Sequence, residues 1–292
     1  MKLTKGRIFF NIINYTILAL IAIICVYPIW YVFVASVSGA DYVNMGQVWF
    51  SPKGFTLNAY NKIIHRDGVW LSYLNSFYYM IFGTAVNLVF TICGAYPLSK
   101  KRLAGRRIIN MLIVFTMWFS AGTIPLYLTF RDYGLLNTRA SIIFGFACGT
   151  YNFILLRTYF AGIPEALEEA AKIDGASDIY ILCKIMLPLA APSLATIGLF
   201  YAVSRWNGYL WSMILLTDDK KIPLQVVLKK LVVDMSGHGE NMSFGAQDTS
   251  NTLSEETVMY ATMVFSIVPM MILYPFIQKY FVKGIMLGSV KG

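Results

Sequence analysis

The residues best placed to do chemistry are five acids, Glu165, Glu168, Glu169, Asp174 and Asp178, crowded into one short stretch of a very apolar chain. Their natural chemistry is recognition: carboxylates clustered beside membrane-grade residues make a surface that touches another protein. Catalytic readings find little support. No GxxxxGK[ST] loop is present, so the chain cannot cradle ATP phosphates itself. His65 and His238 both fall in connections on the outer side, and no Ser/His or Cys/His pair sits at membrane depth for nucleophilic catalysis. The carboxylates of the outer connections show no pairing suited to glycosidic chemistry. Cys25, Cys93, Cys148 and Cys183 have neither metal-site spacing nor the look of a disulfide framework, and read as small, buried apolar residues.

The acids must be positioned by the segment that carries them, EALEEAAKIDGASDIYILCKIMLPLAAP, from Glu165 to Pro192. Gly162 and Pro164 interrupt one helix and start another, since proline suits a first helical turn. Glu165, Glu168 and Glu169 then lie at the positive end of the helix dipole. Ala166, Leu167, Ala170, Ala171 and Ile173 give a small apolar face that another surface can approach closely. Asp174 and Gly175 end the helix. Ser177 caps a second helix expected to reach Ile185, with Ile179, Leu182, Ile185 and Met186 on its apolar side. Leu187 and Pro188 end that helix, and Pro188 with Pro192 opens the next apolar run. The alternative is an amphipathic helix lying in the headgroups, but such helices favour Lys and Arg, and this one is acidic beside an anionic leaflet.

These elements sit in a chain that is 57% hydrophobic and only 13% charged. Apolar runs near the ~20 residues needed to cross a bilayer define an all-α, polytopic membrane protein. Six spans are expected, about Ile12 to Ser38, Asn75 to Leu98, Ile108 to Phe130, Ala140 to Phe160, Pro188 to Leu216 and Thr257 to Phe281. Lys2, Lys5 and Arg7 precede the first run as in a signal peptide, but the run is too long for one and reads as an uncleaved span. The net charge of +9 records topology rather than nucleic-acid binding. With the N-terminus cytoplasmic, that side carries fourteen of the 24 Lys and Arg, including the cluster Lys100, Lys101, Arg102, Arg106 and Arg107. Both termini and the acidic segment (about 162–187) are therefore cytoplasmic. Two long connections, about 39–74 and 217–256, face outward, the second reading as a solvated loop. One transmembrane domain spans 1–292, with a cytoplasmic tail at about 282–292.

On these residues the chain resembles the permease subunits of type I ABC importers. The run EAAKIDGA, followed by KIMLPLAAP, is similar to their Glu-Ala-Ala signature, with Glu169, Ala170, Ala171, Gly175, Ile185, Leu187 and Pro188 in its places. WNGYLWSMILL with DDKKIPLQVVL resembles the late fifth span and outer loop of carbohydrate permeases. The ending YPFIQKYFVKGIMLGSVKG resembles the second, maltose-type permease subunit, and the texture is nearest the complex-oligosaccharide branch. The resemblance covers nearly the whole chain. It implies that Glu168, Glu169, Ala170, Ala171, Asp174, Gly175, Ile185, Leu187 and Pro188 belong to coupling helices seated on an ATP-hydrolysing subunit, which binds ATP and Mg. It implies that the tail, including Gly288, Lys291 and Gly292, reaches that subunit. The implied assembly has a second homologous permease, two ATP-binding subunits, an extracytoplasmic solute-binding protein and surrounding lipid, in the bacterial inner membrane. The implied cargo is an oligosaccharide or polysaccharide fragment, acidic sugars included.

Within the spans, Arg205, Asn207 and Asn87 stand out, because ionisable and amide groups there face a cavity or a partner. Arg205, Trp206, Asn207 and Tyr209 are candidates for lining a sugar path, where aromatics stack on sugar faces and amides bond hydroxyls. The alternative is interhelical hydrogen bonding. Gly83, Gly94, Gly145 and Gly149 mark close packing. A different function class, a passive channel or scaffold that recruits a cytoplasmic partner, predicts uptake independent of ATP.

Overall fold

The computed structural model describes residues 5–66, 68–235 and 255–289. It is helical throughout, with no strand among the described residues. In chain order the helices are α1 (Lys5–Ser36), α2 (Ala40–Asn44), α3 (Asn58–Ile64), α4 (Val69–Ser99), α5 (Arg106–Trp118), α6 (Thr123–Asp132), α7 (Arg139–Phe144) and α8 (Thr150–Gly162). The acidic segment supplies α9 (Ala166–Ile173), α10 (Asp178–Ile181), a π turn over Leu182–Met186, and α11 (Leu187–Leu189). Then follow α12 (Ala191–Asn207), α13 (Leu210–Leu215), α14 (Leu224–Met235) and α15 (Glu255–Ser289).

Among the described residues, α1 and α4 are single helices long and apolar enough to cross a bilayer. The other expected spans are less simple. The third is bent by 115° between α5 and α6, where Gly122 holds a φ of +86° that side chains avoid. The fourth is not one helix: the chain unwinds between α7 and α8, bracketed by Gly145 and Gly149. The fifth does not begin at Pro188. The helical axis turns by 82° around Ala190, and Pro192 alone opens α12. In the sixth, the apolar stretch Glu256–Ile272 is a shorter part of α15. The cysteines also differ from expectation, since all four are exposed on this chain. A residue in an apolar run has lipid or a partner subunit as its natural cover, so a low-polarity setting does not require burial within one chain.

The chain divides into two compact units. The first comprises the described parts of Met1–Val69 and Leu228–Val268. Here the connection after α1 folds back in order. Trp30 Nε1 donates to the Phe50 carbonyl at 2.9 Å, and the Gly39 amide to the Lys53 carbonyl at 2.9 Å. Ser36 and Tyr60 hydroxyls meet at 2.7 Å. Val34, Ala35, Val43 and Val48 form its small core, and Tyr31 meets Tyr260 edge-on at 5.8 Å.

The second unit comprises Trp70–Val227 and Pro269–Gly292, of which 290–292 lie outside the described residues. Its core gathers Tyr96 from α4, Phe160 from α8, Ala171 from α9, Ile181 from α10, Met186 from the π turn and Ile197 from α12. The acidic segment is thus built into this core. The connection after α13, expected on the outer side, is also more ordered than a solvated loop. Asn75 Nδ2 donates to the Lys220 and Ile222 carbonyls, Tyr79 hydroxyl to the Lys221 carbonyl at 2.8 Å, and the Leu224 amide to Ser76 Oγ at 2.8 Å. His238 and the rest of the connection to residue 254 lie outside the described residues.

Candidate functional site

The acidic segment has two chemically different faces. In α9, Glu168 and Ala171 turn inward, while Glu169, Ala170 and Asp174 are exposed and Ile173 is 87% exposed. The helix forms here because alanine-rich sequence has high helical propensity, with acids in its first turn and Lys172 in its last to complement the dipole. It stops at Asp174, after which Gly175 takes a φ of +82°. Ser177 caps α10 by accepting from the Tyr180 amide at 3.3 Å. These boundaries agree with the spacing of Gly175 and Ser177.

The second helix departs from expectation. Its α form ends at Ile181, and a π turn leads into the turn that contains Pro188. Proline has no N–H for the Lys184 carbonyl and its ring crowds that oxygen, and a widened turn relieves both problems. The turn also re-phases the apolar face. Ile181 and Met186 are fully buried, and Leu182, Ile185 and Leu187 pack against the core. Ile179 is 76% exposed and faces outward beside Tyr180. The residues singled out by motif therefore split. Glu169, Ala170, Asp174, Gly175 and Pro188 lie outward, whereas Glu168, Ala171, Ile185 and Leu187 hold the segment to the protein.

Glu168 is the polar pin of that attachment. It is buried, pairs with Lys100 Nζ, and accepts a 2.6 Å hydrogen bond from the Tyr96 hydroxyl. The Lys100 ammonium also lies 4.6 Å from the centre of the Tyr96 ring. Burial works to raise the Glu168 pKa, but hydrogen bonds from Lys100 and Tyr96 outweigh it and hold the carboxyl below its ordinary value. Outside this pin, Arg102 and Lys172 both reach Asp178 Oδ1, at 3.2 and 3.0 Å, and Lys101 approaches Glu165 at 3.6 Å. Hydrogen bonding and charge from Lys172, then Arg102, depress the Asp178 pKa. Counting Lys100, Lys101 and Arg102 as topology markers misses their role here, which is to grip the acids. The signal available was the coincidence of a basic and an acidic cluster assigned to one side of the membrane.

The polar residues of the expected fifth span are placed differently from one another. Arg205 donates to the carbonyls of Ile142, Ile143 and Phe146 and to Asn87 Oδ1 at 2.6 Å. It thus satisfies carbonyls freed where the fourth span unwinds, beside the negative end of α7. Gly83 makes room for it, since a β-carbon there would lie 2.9 Å from Arg205 Nε. Trp206 is buried, edge-on to Phe77 at 5.1 Å and to Tyr73 at 5.9 Å. Asn207 and Tyr209 are exposed. Gly149 and Gly94 pack closely, against Tyr201 and Phe153. Of the tail residues, Gly288 falls at the end of α15, and Lys291 and Gly292 lie outside the described residues. Among the described residues no His, Cys, Asp or Glu group is arranged to hold a metal.

Comparison with known proteins gives a consistent picture. Residues 68–287 match the family described as the binding-protein-dependent transport system inner membrane component. The polygalacturonan/rhamnogalacturonan transport system permease protein YtcP of Bacillus subtilis (strain 168) is 41% identical over 288 residues, covering 99% of this chain and all of that protein. The arabinooligosaccharides transport system permease protein AraQ of Halalkalibacterium halodurans is 28% identical over 94% of each chain. Among solved structures, a chain of a bacterial ABC transporter involved in the import of the acidic polysaccharide alginate superposes with a TM-score of 0.88. It is 46% identical, over 96% of this chain and 99% of that one.

Proposed function

The chain belongs to the family of binding-protein-dependent transport system inner membrane components, and from that premise we propose how it works as a permease subunit of an ABC importer for carbohydrate. Its cargo is an oligosaccharide or polysaccharide fragment, acidic sugars included. The names of its relatives, a polygalacturonan/rhamnogalacturonan permease and an alginate importer, support that reading. Six spans cross the inner membrane with both termini cytoplasmic, some of them as broken helices. A second permease completes the path, an extracytoplasmic solute-binding protein delivers the sugar, and two ATP-binding subunits, which hold ATP and Mg, supply the energy. This chain has no ATPase site of its own.

The observation that carries the mechanism is the two-faced acidic segment. Its exposed side, Glu169, Ile173, Asp174 and Ile179 around Gly175, presents carboxylates and apolar side chains together, the composition of a protein contact rather than a solvated surface. Its other side is fixed to the core through Glu168, Ala171 and Ile181. Closure of the ATP-binding subunits moves this segment, and the packed core transmits the displacement to α12. Asn207 and Tyr209 are the members of the fifth-span group available to a passing sugar, with the tail at Gly288, Lys291 and Gly292 as an additional cytoplasmic contact.

The test is transport by the reconstituted complex. Glu169→Lys, an exposed change, is expected to abolish substrate-stimulated ATPase and uptake while leaving membrane insertion intact. Wild-type coupling by that variant overturns the assignment of this face. Uptake that continues without ATP favours the passive channel.

A further inference from the structure

Three arginines remain outside the grip on the acidic segment. Arg106 and Arg107 open α5, Arg157 lies on α8, and with Asn110 they line a cleft of about 330 Å³ where the two helices pack. The ion pairs on this side of the molecule use Lys100, Lys101, Arg102 and Lys172 instead. The first turn of α5 contains no acid, so its dipole adds to the positive field. Arg106 Nε is spent on the Leu98 carbonyl at 3.1 Å. Arg157, which lines the cleft, is only half-buried, and its Nε has no hydrogen-bond partner among the described residues.

What fills the cleft is indicated by its surroundings. Immediately beyond the arginines α5 turns apolar and stays uncovered: Ile108, Met111 and Leu112 are 62, 66 and 57% exposed, and no residue of the helix is buried. A ligand that suits both features has an anionic head and apolar tails. Arginine forks match phosphate oxygens, and Asn110 adds an amide donor. We propose that this cleft binds the phosphate of an anionic phospholipid, with acyl chains along the apolar face of α5. The position at the polar end of an apolar helix is where basic residues meet anionic headgroups on the cytoplasmic side, and that sidedness rests on the orientation proposed above. Since Arg106 directly follows the 100–105 connection, an occupied cleft steadies the loop that grips the acidic segment.

The experiment uses the full-length chain assembled with its partner subunits, stripped of lipid in detergent and examined by native mass spectrometry. Dioleoylphosphatidylglycerol and dioleoylphosphatidylcholine are added in equal amounts, with inorganic phosphate in a separate arm. Retention of the anionic lipid over the zwitterionic one is expected, falling about fivefold in Arg157→Gln and again in Arg107→Gln. Arg107 is exposed at the helix start, so its variant tests the site even where Arg157→Gln impairs folding. Arg131→Gln, another exposed change, is expected to leave retention unaltered. Equal retention of the two lipids, or unchanged retention in both cleft variants, overturns the proposal. Complete displacement of the lipid by millimolar inorganic phosphate assigns the cleft to a free anion and overturns the lipid assignment.

Discussion

At the scale of single residues, Glu168 and Arg205 show how this protein handles charge in an apolar setting. Each charge is matched by groups from a distant part of the chain, Lys100 and Tyr96 for the acid and freed backbone carbonyls for the base. Removing one partner of a buried pair leaves the other uncompensated. Glu168→Leu is therefore expected to cost roughly 3 kcal/mol, while the Glu168→Leu/Lys100→Met double variant recovers most of that loss. Thermal unfolding of the four corners of the cycle in detergent measures the coupling. The pH dependence has a definite sign. The folded-state pKa of Glu168 lies below its ordinary value of 4.5, so its stabilisation is fully present above about pH 4.5 and is lost as pH falls through the lowered value. Hydrogen-exchange protection in α9, taken relative to the intrinsic amide rate at each pH, is expected to hold at pH 5 and to fall at more acidic pH. Glu168→Gln is expected to show no such step. Neither residue's environment follows from its local sequence. Glu168 and Glu169 are adjacent identical side chains, and the packing of Ala171 and Ile181 together with the partners Lys100 and Tyr96 decides which one turns inward.

At the scale of elements, the end of α9 and the start of α10 were legible because each carries its own backbone chemistry. Gly175 supplies the left-handed conformation, and Ser177 the cap. The path after Ile181 was not legible, because a π turn answers a strain at Pro188 that arises only when both turns stay helical. The unwound link between α7 and α8 was hidden for a related reason. Its apolar composition looks like one helix until Arg205, remote in sequence, supplies hydrogen bonds for the freed carbonyls. The αL requirement gives a graded test. A β-carbon at Gly175 meets nothing within 4 Å, so the penalty there is conformational rather than steric. Coupled ATPase activity is expected to fall in the order Gly, Asn, Ala, Val, with about 1–2 kcal/mol of local cost for the last. A ranking by size, with Ala above Asn, would instead place the demand on close contact with the partner surface.

At the scale of the whole molecule, the helical class and the membrane setting follow from composition, while the division of each apolar run into straight or broken helices depends on glycines and tertiary contacts. Orientation can be tested with a thiol the chain already has. Cys183 lies exposed in the π turn. In a variant with Cys25, Cys93 and Cys148 changed to Ala, expressed without the ATP-binding subunit, a membrane-impermeant maleimide is expected to label Cys183 in inverted vesicles and not in intact spheroplasts. Labelling from the outside reverses the topology. The pairing of the basic connection with the acidic segment also bears on biogenesis. Lys100 is synthesised and delivered to the membrane well before Glu168, so the early half of the clasp waits for the later half to emerge. Once both are in place, the surface proposed above for the motor subunit exists without the motor. On that proposal, recruitment begins as docking between formed shapes, with less ordering entropy to lose, and a newly inserted permease whose clasp is still open offers the motor no finished surface.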